Sequence, residues 1–370
     1  MDITVRRTIA LTCAAACTVF AGSANATVLY NSSGSYFITT IVNDNIHIDN
    51  TTAIVTVDLN GRVRGVDTLT PVYREAAARV QRGVLNVIGN GRIIAGLNQS
   101  AIEMTSSSTS EVHIGGRSVI HGNIKSDMAP IWGDPTSATQ RLFLEGNSVV
   151  SGTVLYGGYV QLKDNAVVAG DIKSNMNANV RVDITGGSVQ GSVVLGGLDV
   201  HIVNMSGGSI AGSLGGAPSY VDIDLSGGYI RQGLISRGEY DGVIRGGNID
   251  GGVWIKNDVA GGSNLSVRGG RIDTIAGAHL FAMTEMYSDS IPSTVKICGG
   301  QFGYFQKGTG LRIEGNTSLE IRGAGLTYAG GILTGTLQDG STINVPLSFG
   351  PTWSGTFNLI TVATPSRPTC

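Results

Sequence analysis

The sequence is poor in charge, aromatic residues, proline and cysteine, and these shortages exclude several classes of protein. Charged residues make up 14% and aromatic residues 6% of the 370 residues, and the charged share is about half of that in an average soluble domain. Hydrophobic residues still reach 41%, with nine prolines, which argues against both a disordered chain and a collagen. The formal net charge of -2 gives no general attraction to nucleic acid or to an anionic membrane.

Glycine is the residue in excess. The chain holds 55 glycines, about twice the usual share, together with abundant valine and isoleucine. Valine and isoleucine favour strands, and glycine serves the sharp turns between strands. The composition therefore predicts a packed protein that is rich in β-strands.

The first 26 residues have the pattern of a secretory signal peptide. Arg6 and Arg7 precede an apolar run from Ile9 to Ala21, and the small residues of Ser23–Ala26 follow. The run is shorter than the ~20 residues that cross a membrane, and no later segment supplies a transmembrane span. We therefore predict a protein that is secreted, with an extracellular, cell-surface or periplasmic location.

The four cysteines agree with export but leave two questions open. Cys13 and Cys17 lie in the predicted leader, and a lipoprotein attached through Cys17 is the alternative to a cleaved signal peptide. Cys298 and Cys370 remain in the mature chain, where they form either one disulfide or two separate thiols.

One repeat dominates the chain from Val84 onward. Each copy has three or four residues that alternate between apolar and polar, then a Gly-Gly, Gly-Asn or Asp-Asn pair, and then a short Val/Ile-x-Gly-x-Val/Ile run. The copies recur about every 20 residues, which is typical of a solenoid. The second members of the ten pairs are Asn90, Gly116, Asn147, Asn165, Gly187, Gly208, Gly228, Gly247, Gly270 and Gly300.

This repeat predicts an all-β fold: a single-stranded parallel β-helix, right-handed, of about ten or more coils. Val182, Val203 and Ile223 should stack inside it, one above another, with their polar neighbours outside. The glycine pairs should form corners in which the second residue has a positive φ, and asparagine should take that place in three copies. A β-sandwich whose hairpins repeat by chance is the alternative.

The repeat also predicts the organisation of the chain. A helix over Pro71–Arg82 is expected to shield the first coil, because Thr70 can cap it, Pro71 fits its first position and Gly83 ends it. The predicted regions are a signal peptide (1–26), an N-terminal β region with the capping helix (27–83), β-helix repeats (84–310), a C-terminal β cap (311–363) and a tail (364–370).

Two resemblances to known families rest on short motifs. The run GILTGTLQDGSTINVPLSF from Gly331, with GTFNLITV from Gly355, resembles the end of the repeat domain in PEP-CTERM-type exported bacterial proteins, and this resemblance implies export. The runs VVAGDI from Val167 and SVIHGNI from Ser118 are similar to the repeats of bactofilins, which are polymerising β-helix scaffolds. That resemblance implies a β-helix, and the predicted leader separates this chain from a cytoplasmic filament.

Two insertions interrupt the repeat, at Lys125–Gln140 and His279–Pro292, and long loops on solenoids commonly carry function. The first insertion supplies the binding candidates Asp127, Trp132 and Asp134. The second supplies His279, Glu285, Tyr287 and Asp289.

The strongest arrangement for chemistry is a row of outward residues. Asp183, Asn204 and Asp224 share a register on three successive copies, with Arg181 and Asp222 alongside, and clustered carboxylates are what a polysaccharide-cleaving enzyme needs. Simple polar alternation also produces such rows. The chain has no Walker loop, no HExxH, no zinc-ligand spacing and no G-x-S-x-G, so neither a metal nor another cofactor is predicted.

The sequence thus predicts an exported, non-catalytic β-helix protein that acts as a structural, adhesive or extracellular-matrix component. Its expected partners are glycans or cell-surface components, with self-association and without nucleic acid. One alternative is a polysaccharide-active β-helix enzyme, a lyase or a hydrolase. A further alternative is a self-polymerising extracellular scaffold.

Overall fold

The computed structural model describes residues 28–32, 34–49, 55–66, 76–97, 99–105, 109–127, 140–174, 178–257, 262–273, 281–285, 292–303 and 310–370. These residues form 36 strands and no helix. The chain divides into two compact units, of which the first ends at Arg181 and the second runs from Val182 to Cys370. No helix among the described residues is long and apolar enough to cross a membrane.

The strands of the first unit are β1 (Val28–Tyr30), β2 (Gly34–Ile38), β3 (Ile41–Val42), β4 (Ile46–Asp49), β5 (Val55–Leu59), β6 (Arg62–Arg64), β7 (Ala78–Val87), β8 (Arg92–Ile94), β9 (Ile102–Thr105), β10 (Ser110–Ile114), β11 (Val119–His121), β12 (Ile124–Asp127), β13 (Gln140–Leu144), β14 (Val149–Val150), β15 (Val154–Tyr156), β16 (Gly158–Leu162), β17 (Val167–Val168) and β18 (Ile172–Ser174).

The strands of the second unit, of which β19 begins at the end of the first, are β19 (Val180–Ile184), β20 (Ser188–Val189), β21 (Val193–Met205), β22 (Ser209–Ile210), β23 (Leu214–Leu225), β24 (Tyr229–Ile230), β25 (Leu234–Ser236), β26 (Glu239–Ile244), β27 (Asn248–Ile249), β28 (Val253–Asn257), β29 (Asn264–Ile272), β30 (Phe281–Glu285), β31 (Ser293–Phe302), β32 (Leu311–Ile313), β33 (Thr317–Ala329), β34 (Ile332–Leu337), β35 (Thr342–Phe349) and β36 (Phe357–Thr361).

The first unit is a parallel β-helix with three strand ladders. Strands β1, β4, the start of β7, β9, β12, β15 and β18 form the first ladder. Strands β2, β5, the end of β7, β10, β13 and β16 form the second, and β3, β6, β8, β11, β14 and β17 form the third. Leu85, Val112 and Leu142 lie in register on the second ladder, fully buried, so the apolar half of the alternation forms the core.

The second unit repeats this arrangement. Its second ladder contains the ends of β21 and β23, then β26, β29, β31, β33 and β36, and every one of these pairings is parallel. Val203 and Ile223 pair in register and are fully buried. The prediction of a parallel β-helix with stacked aliphatic residues inside is therefore confirmed.

The corners confirm one half of the glycine prediction and contradict the other. Seven predicted glycines have a positive φ, for example Gly187 and Gly208 at 71°. In the three coils with asparagine, the left-handed residue is instead the one before it: Gly89 (φ 60°), Gly146 (φ 66°) and Asp164 (φ 57°). Two of these three asparagines contact each other, since Asn165 Nδ2 donates to Asn147 Oδ1 at 3.1 Å.

Residues 71–75 of the predicted helix over Pro71–Arg82 lie outside the described residues. In the part that the structure describes, the predicted helix is wrong. Ala78 to Arg82 begin β7, whose buried Ala78 and Val80 pair in register with β4 on one side and β9 on the other. Good helix formers carry only a small intrinsic preference. Ladder hydrogen bonds and burial outweigh it here.

A β cap ends the second unit, as predicted. Strand β34 runs antiparallel between β33 and β35, with the turn at Gln338–Asp339. Cys298 and Cys370 form a disulfide with a Cα–Cα separation of 6.3 Å, which resolves the question that the sequence left open. The disulfide joins the last residue of the chain to β31 across 72 positions.

Candidate functional site

The outer face of the second ladder in the second unit carries two rows of polar side chains. Asp222, Asp241 and Asn264 lie in register on β23, β26 and β29. Asn204 and Asp224 lie in register on β21 and β23, next to the first row. With Asp183 on β19, these residues form what we call the acidic ladder: Asp183, Asn204, Asp222, Asp224, Asp241 and Asn264.

Neighbouring coils supply partners for three of the four carboxylates. Asn204 Nδ2 donates to Asp183 Oδ1 at 2.8 Å. Arg245 Nη1 donates to Asp224 Oδ1 at 2.6 Å, in an ion pair whose side chains are both 42% exposed. Each contact joins residues of different coils, so these bonds fasten one coil to the next.

Asp241 is the most heavily bonded member. Its Oδ2 accepts a hydrogen bond from the Tyr220 hydroxyl at 3.0 Å, and its Oδ1 accepts one from Asn264 Nδ2 at 2.8 Å. Burial raises the pKa of Tyr220, and the hydrogen bond to Asp241 adds to the effect. The phenol therefore remains a proton donor to this carboxylate.

The surroundings of Asp222 make its ionised form less favourable. Partial burial raises the pKa of Asp222, and the nearby carboxylates of Asp241 and Asp224 raise it further, while Arg245 opposes them. Asp222 and Asp241 are directly in register on paired strands, about 4.8 Å apart at the backbone. Asp222 therefore holds a proton more readily than an ordinary aspartate does.

The inner face beneath the ladder contains two aromatic polar side chains. His201 points inward, as its place in the alternation predicts, and is fully buried. Its Nε2 donates to the carbonyl oxygen of Gly196 at 3.2 Å, and burial lowers its pKa to about 4. Tyr240, also fully buried, folds over Gly242, where any Cβ would collide with its hydroxyl.

The structure places all four predicted catalytic candidates at outward positions of their strands. Asp183, Asp222 and Asp224 lie on the outer face just described. Arg181 faces outward on β19 two residues before Asp183, and its guanidinium lies 5.8 Å above the ring of Tyr159. A cation over an aromatic face is a packing contact in its own right.

Most residues predicted from the insertions lie outside the described part of the chain. Those residues are Trp132, Asp134, His279, Tyr287 and Asp289. Asp127 is the last residue of β12, with its backbone in register with Thr105. Glu285 ends β30, which pairs with β28, so the second insertion contains a regular strand of the first ladder.

The sequence did not reveal that Asp241 and Asn264 belong to this surface. The signal was present for Asp241. Asp222 lies six residues before Gly228, the second glycine of its corner pair. Asp241 lies six residues before Gly247, the second glycine of the next pair. The same count from Gly270 leads back to Asn264, so the signal was present for both residues.

The acidic ladder does not form a metal site among the described residues. Among the described residues, no group of three or more His, Cys, Asp or Glu side chains is arranged to hold a metal ion. A shallow depression of about 390 Å³ in the second unit lies elsewhere. It is lined by Gly247, Asn248, Gly270, Arg271, Gly300, Gln301, Asp339 and Ser341.

Comparison with known proteins adds no assignment. The sequence matches no protein-family model, and no curated protein or solved structure is significantly similar to it.

Proposed function

We propose that this chain is an exported, non-catalytic β-helix protein that serves as a structural, adhesive or matrix component outside the cytoplasm. The observation that carries the proposal is the acidic ladder, in which Asp183, Asp224 and Asp241 are bonded across coils. Side chains held in this way stabilise a regular polar surface. They are poorly suited to changing partners during a reaction cycle.

The disulfide supports an exported location. Disulfides such as Cys298–Cys370 form and persist in oxidising compartments and are rare in the cytosol. The leader pattern in residues 1–26 and the resemblance of the C-terminal segment to PEP-CTERM-type exported proteins favour the same location.

A polysaccharide-active enzyme is the second candidate function, and one observation favours it. The raised pKa of Asp222, whose strand position is in register with a second carboxyl group on Asp241, fits a general acid next to a second catalytic carboxyl. Retaining glycosidases hold two carboxyl groups about 5 Å apart, close to the strand spacing.

A self-polymerising scaffold is the third candidate function. Within the described residues, β1, β2 and β3 each pair with a strand on one side only, and Phe37 and Ile41 are 66% and 58% exposed. Open strand edges beside exposed apolar side chains favour association. The similarity to bactofilin repeats favours it as well.

The experiment that separates these functions measures glycan binding and glycan cleavage on the same secreted protein. We expect binding to immobilised polysaccharides without release of reducing or unsaturated ends. Sugar release that Asp222→Asn or Asp241→Asn abolishes, while an Arg231→Gln control retains it, would contradict the proposal and support the enzyme.

Assembly is measured separately, by sedimentation over a range of protein concentrations. Polymers that Phe37→Ser disperses would support the scaffold function instead.

A further inference from the structure

Three arginines lie on the outer face of the third ladder in the first unit, and a fourth lies in the turn that precedes β11. Arg62 and Arg92 lie directly in register on β6 and β8, and Arg64 follows Arg62 on the same face. Arg117 lies in the next coil, two residues before Val119, which pairs with Arg92. We call Arg62, Arg64, Arg92 and Arg117 the arginine patch.

The patch lacks the ion pairs that two other arginines of this unit form. Arg82 pairs with Asp49, and Arg141 pairs with Glu111. None of the four patch arginines forms an ion pair with any residue that the structure describes. Like charges directly opposite each other on paired strands destabilise a sheet, so this arrangement has a cost that a bound anion would remove.

The backbone beneath the patch is rigid. Val63, Ile93 and Ile120 lie in register immediately behind the arginines and are fully buried. Strands about 4.8 Å apart, with a rise of about 3.3 Å per residue, place Arg62, Arg64 and Arg92 on an area of roughly 5 by 7 Å. Their spacing is therefore set by the ladder before any ligand arrives.

The neighbouring positions indicate the class of ligand. Asn90 and His121 are exposed at the margins of the patch and supply hydrogen-bonding groups. The other outward neighbours, Ile41, Ile94 and Val119, are aliphatic, and no Phe, Tyr or Trp occupies these positions. Single-stranded nucleic acid binds through aromatic stacking platforms, which this surface lacks.

We propose that the arginine patch binds an anionic polysaccharide, whose carboxylate or sulfate groups pair with Arg62, Arg64, Arg92 and Arg117. Guanidinium groups recognise such oxyanions with two parallel hydrogen bonds. Asn90 and His121 bond sugar hydroxyls at the margins. This inference rests on the proposed extracellular role and names the class of glycan that the protein meets.

The test uses the mature chain with alginate as the polyuronate, dextran sulfate as the sulfated polymer and unmodified dextran as the neutral reference. We expect binding to at least one polyanion, and the stronger of the two identifies the source of the anionic group. Arg62→Gln/Arg92→Gln should weaken this binding about tenfold or more. It should also lower the slope of log affinity against log salt by about two, one for each lost contact.

The matched control is Arg231→Gln/Arg237→Gln, which removes the same charge from exposed positions in the second unit. We expect it to bind as the unmodified protein does. Equal losses in both double variants would overturn the proposal, because the attraction would then come from total charge. Absence of binding to either polyanion would overturn it as well.

The same measurements separate this proposal from the proposed function. Neutral dextran binding without polyanion binding would remove the patch assignment and leave an adhesive role standing. Cleavage of a bound polyanion would remove the non-catalytic role and leave the patch standing. Equally tight binding of single-stranded DNA, lost in Arg62→Gln/Arg92→Gln, would assign the patch to nucleic acid and overturn the proposal.

Discussion

The acidic ladder and the arginine patch both place like charges close together on the outside of a parallel β-helix. They differ in whether neighbouring side chains compensate these charges. Stacking in register brings equivalent positions within about 4.8 Å of each other, so a charge that is repeated in successive coils is repelled by its neighbours. In the acidic ladder, Arg245, Tyr220 and two asparagines offset that repulsion. In the arginine patch, no described side chain does so. The first arrangement supports the fold, and the second is open to a ligand.

The two surfaces also differ on their inner sides. Val63, Ile93 and Ile120 behind the arginine patch are aliphatic, whereas His201 and Tyr240 lie behind the acidic ladder. The core behind the acidic ladder should therefore respond to pH through His201, whereas Val63, Ile93 and Ile120 contain no group that titrates. Four measurements test this contrast.

The largest expected effect comes from the core behind the arginine patch. Ile93→Ala should lower the free energy of unfolding by about 3 kcal/mol, because Ile93 is fully buried between in-register neighbours. Urea unfolding measures the loss. Ile93→Val is the graded control, with an expected loss of about 1 kcal/mol, and equal losses in both variants would contradict a close-packed core at this position.

The next effect is the pH dependence that His201 introduces behind the acidic ladder. Burial holds the pKa of His201 at about 4, below its unfolded value near 6.5, so its favourable contribution is complete above pH 6.5 and is lost as the pH falls towards 4. The full loss is roughly 3 kcal/mol.

His201→Leu should flatten the stability profile in this range relative to the unmodified chain, since the carboxylates titrate in both. Urea midpoints measured at intervals between pH 7.5 and pH 4 check the difference. Parallel profiles for the two proteins would show that His201 does not titrate as the buried group described here.

A smaller effect separates two adjacent members of the acidic ladder. At pH 7, Asp224→Asn should lower stability by about 0.5 kcal/mol, because the exposed ion pair with Arg245 is lost. Asp222→Asn should raise stability, because the raised pKa of Asp222 means that its ionised form is disfavoured in the folded protein. Thermal unfolding of the two variants should therefore shift in opposite directions, and shifts of the same sign would contradict this division.

The smallest effect on stability belongs to the arginine patch itself. Arg62→Gln/Arg92→Gln should leave the free energy of unfolding unchanged or raise it by up to about 0.5 kcal/mol, since the variant removes repulsion and no described ion pair. The same variant should show a large loss in polyanion binding. A loss of stability comparable to that of Ile93→Ala would show that these arginines serve the fold instead.

Local pattern in the sequence was sufficient to predict the class of fold and the direction of most side chains. Alternation alone determined that Val203 and Ile223 lie inside and that Asp222 and Asp224 lie outside. Glycine pairs such as Gly207–Gly208 marked the corners, because a sharp turn needs a residue that tolerates a positive φ. These features depend on one residue and its immediate neighbours.

Only the tertiary structure decided which coils' side chains meet. It placed Ala78 to Arg82 in a strand and joined Cys298 to Cys370. At three corners it gave the positive φ to the residue before the asparagine. It also set Asp241 beside Asp222 and Arg92 beside Arg62. Coils in this chain vary in length, so equivalent positions are not separated by a constant number of residues. Pairing between strands establishes that register, and the register decides whether a row of like charges is compensated or left open.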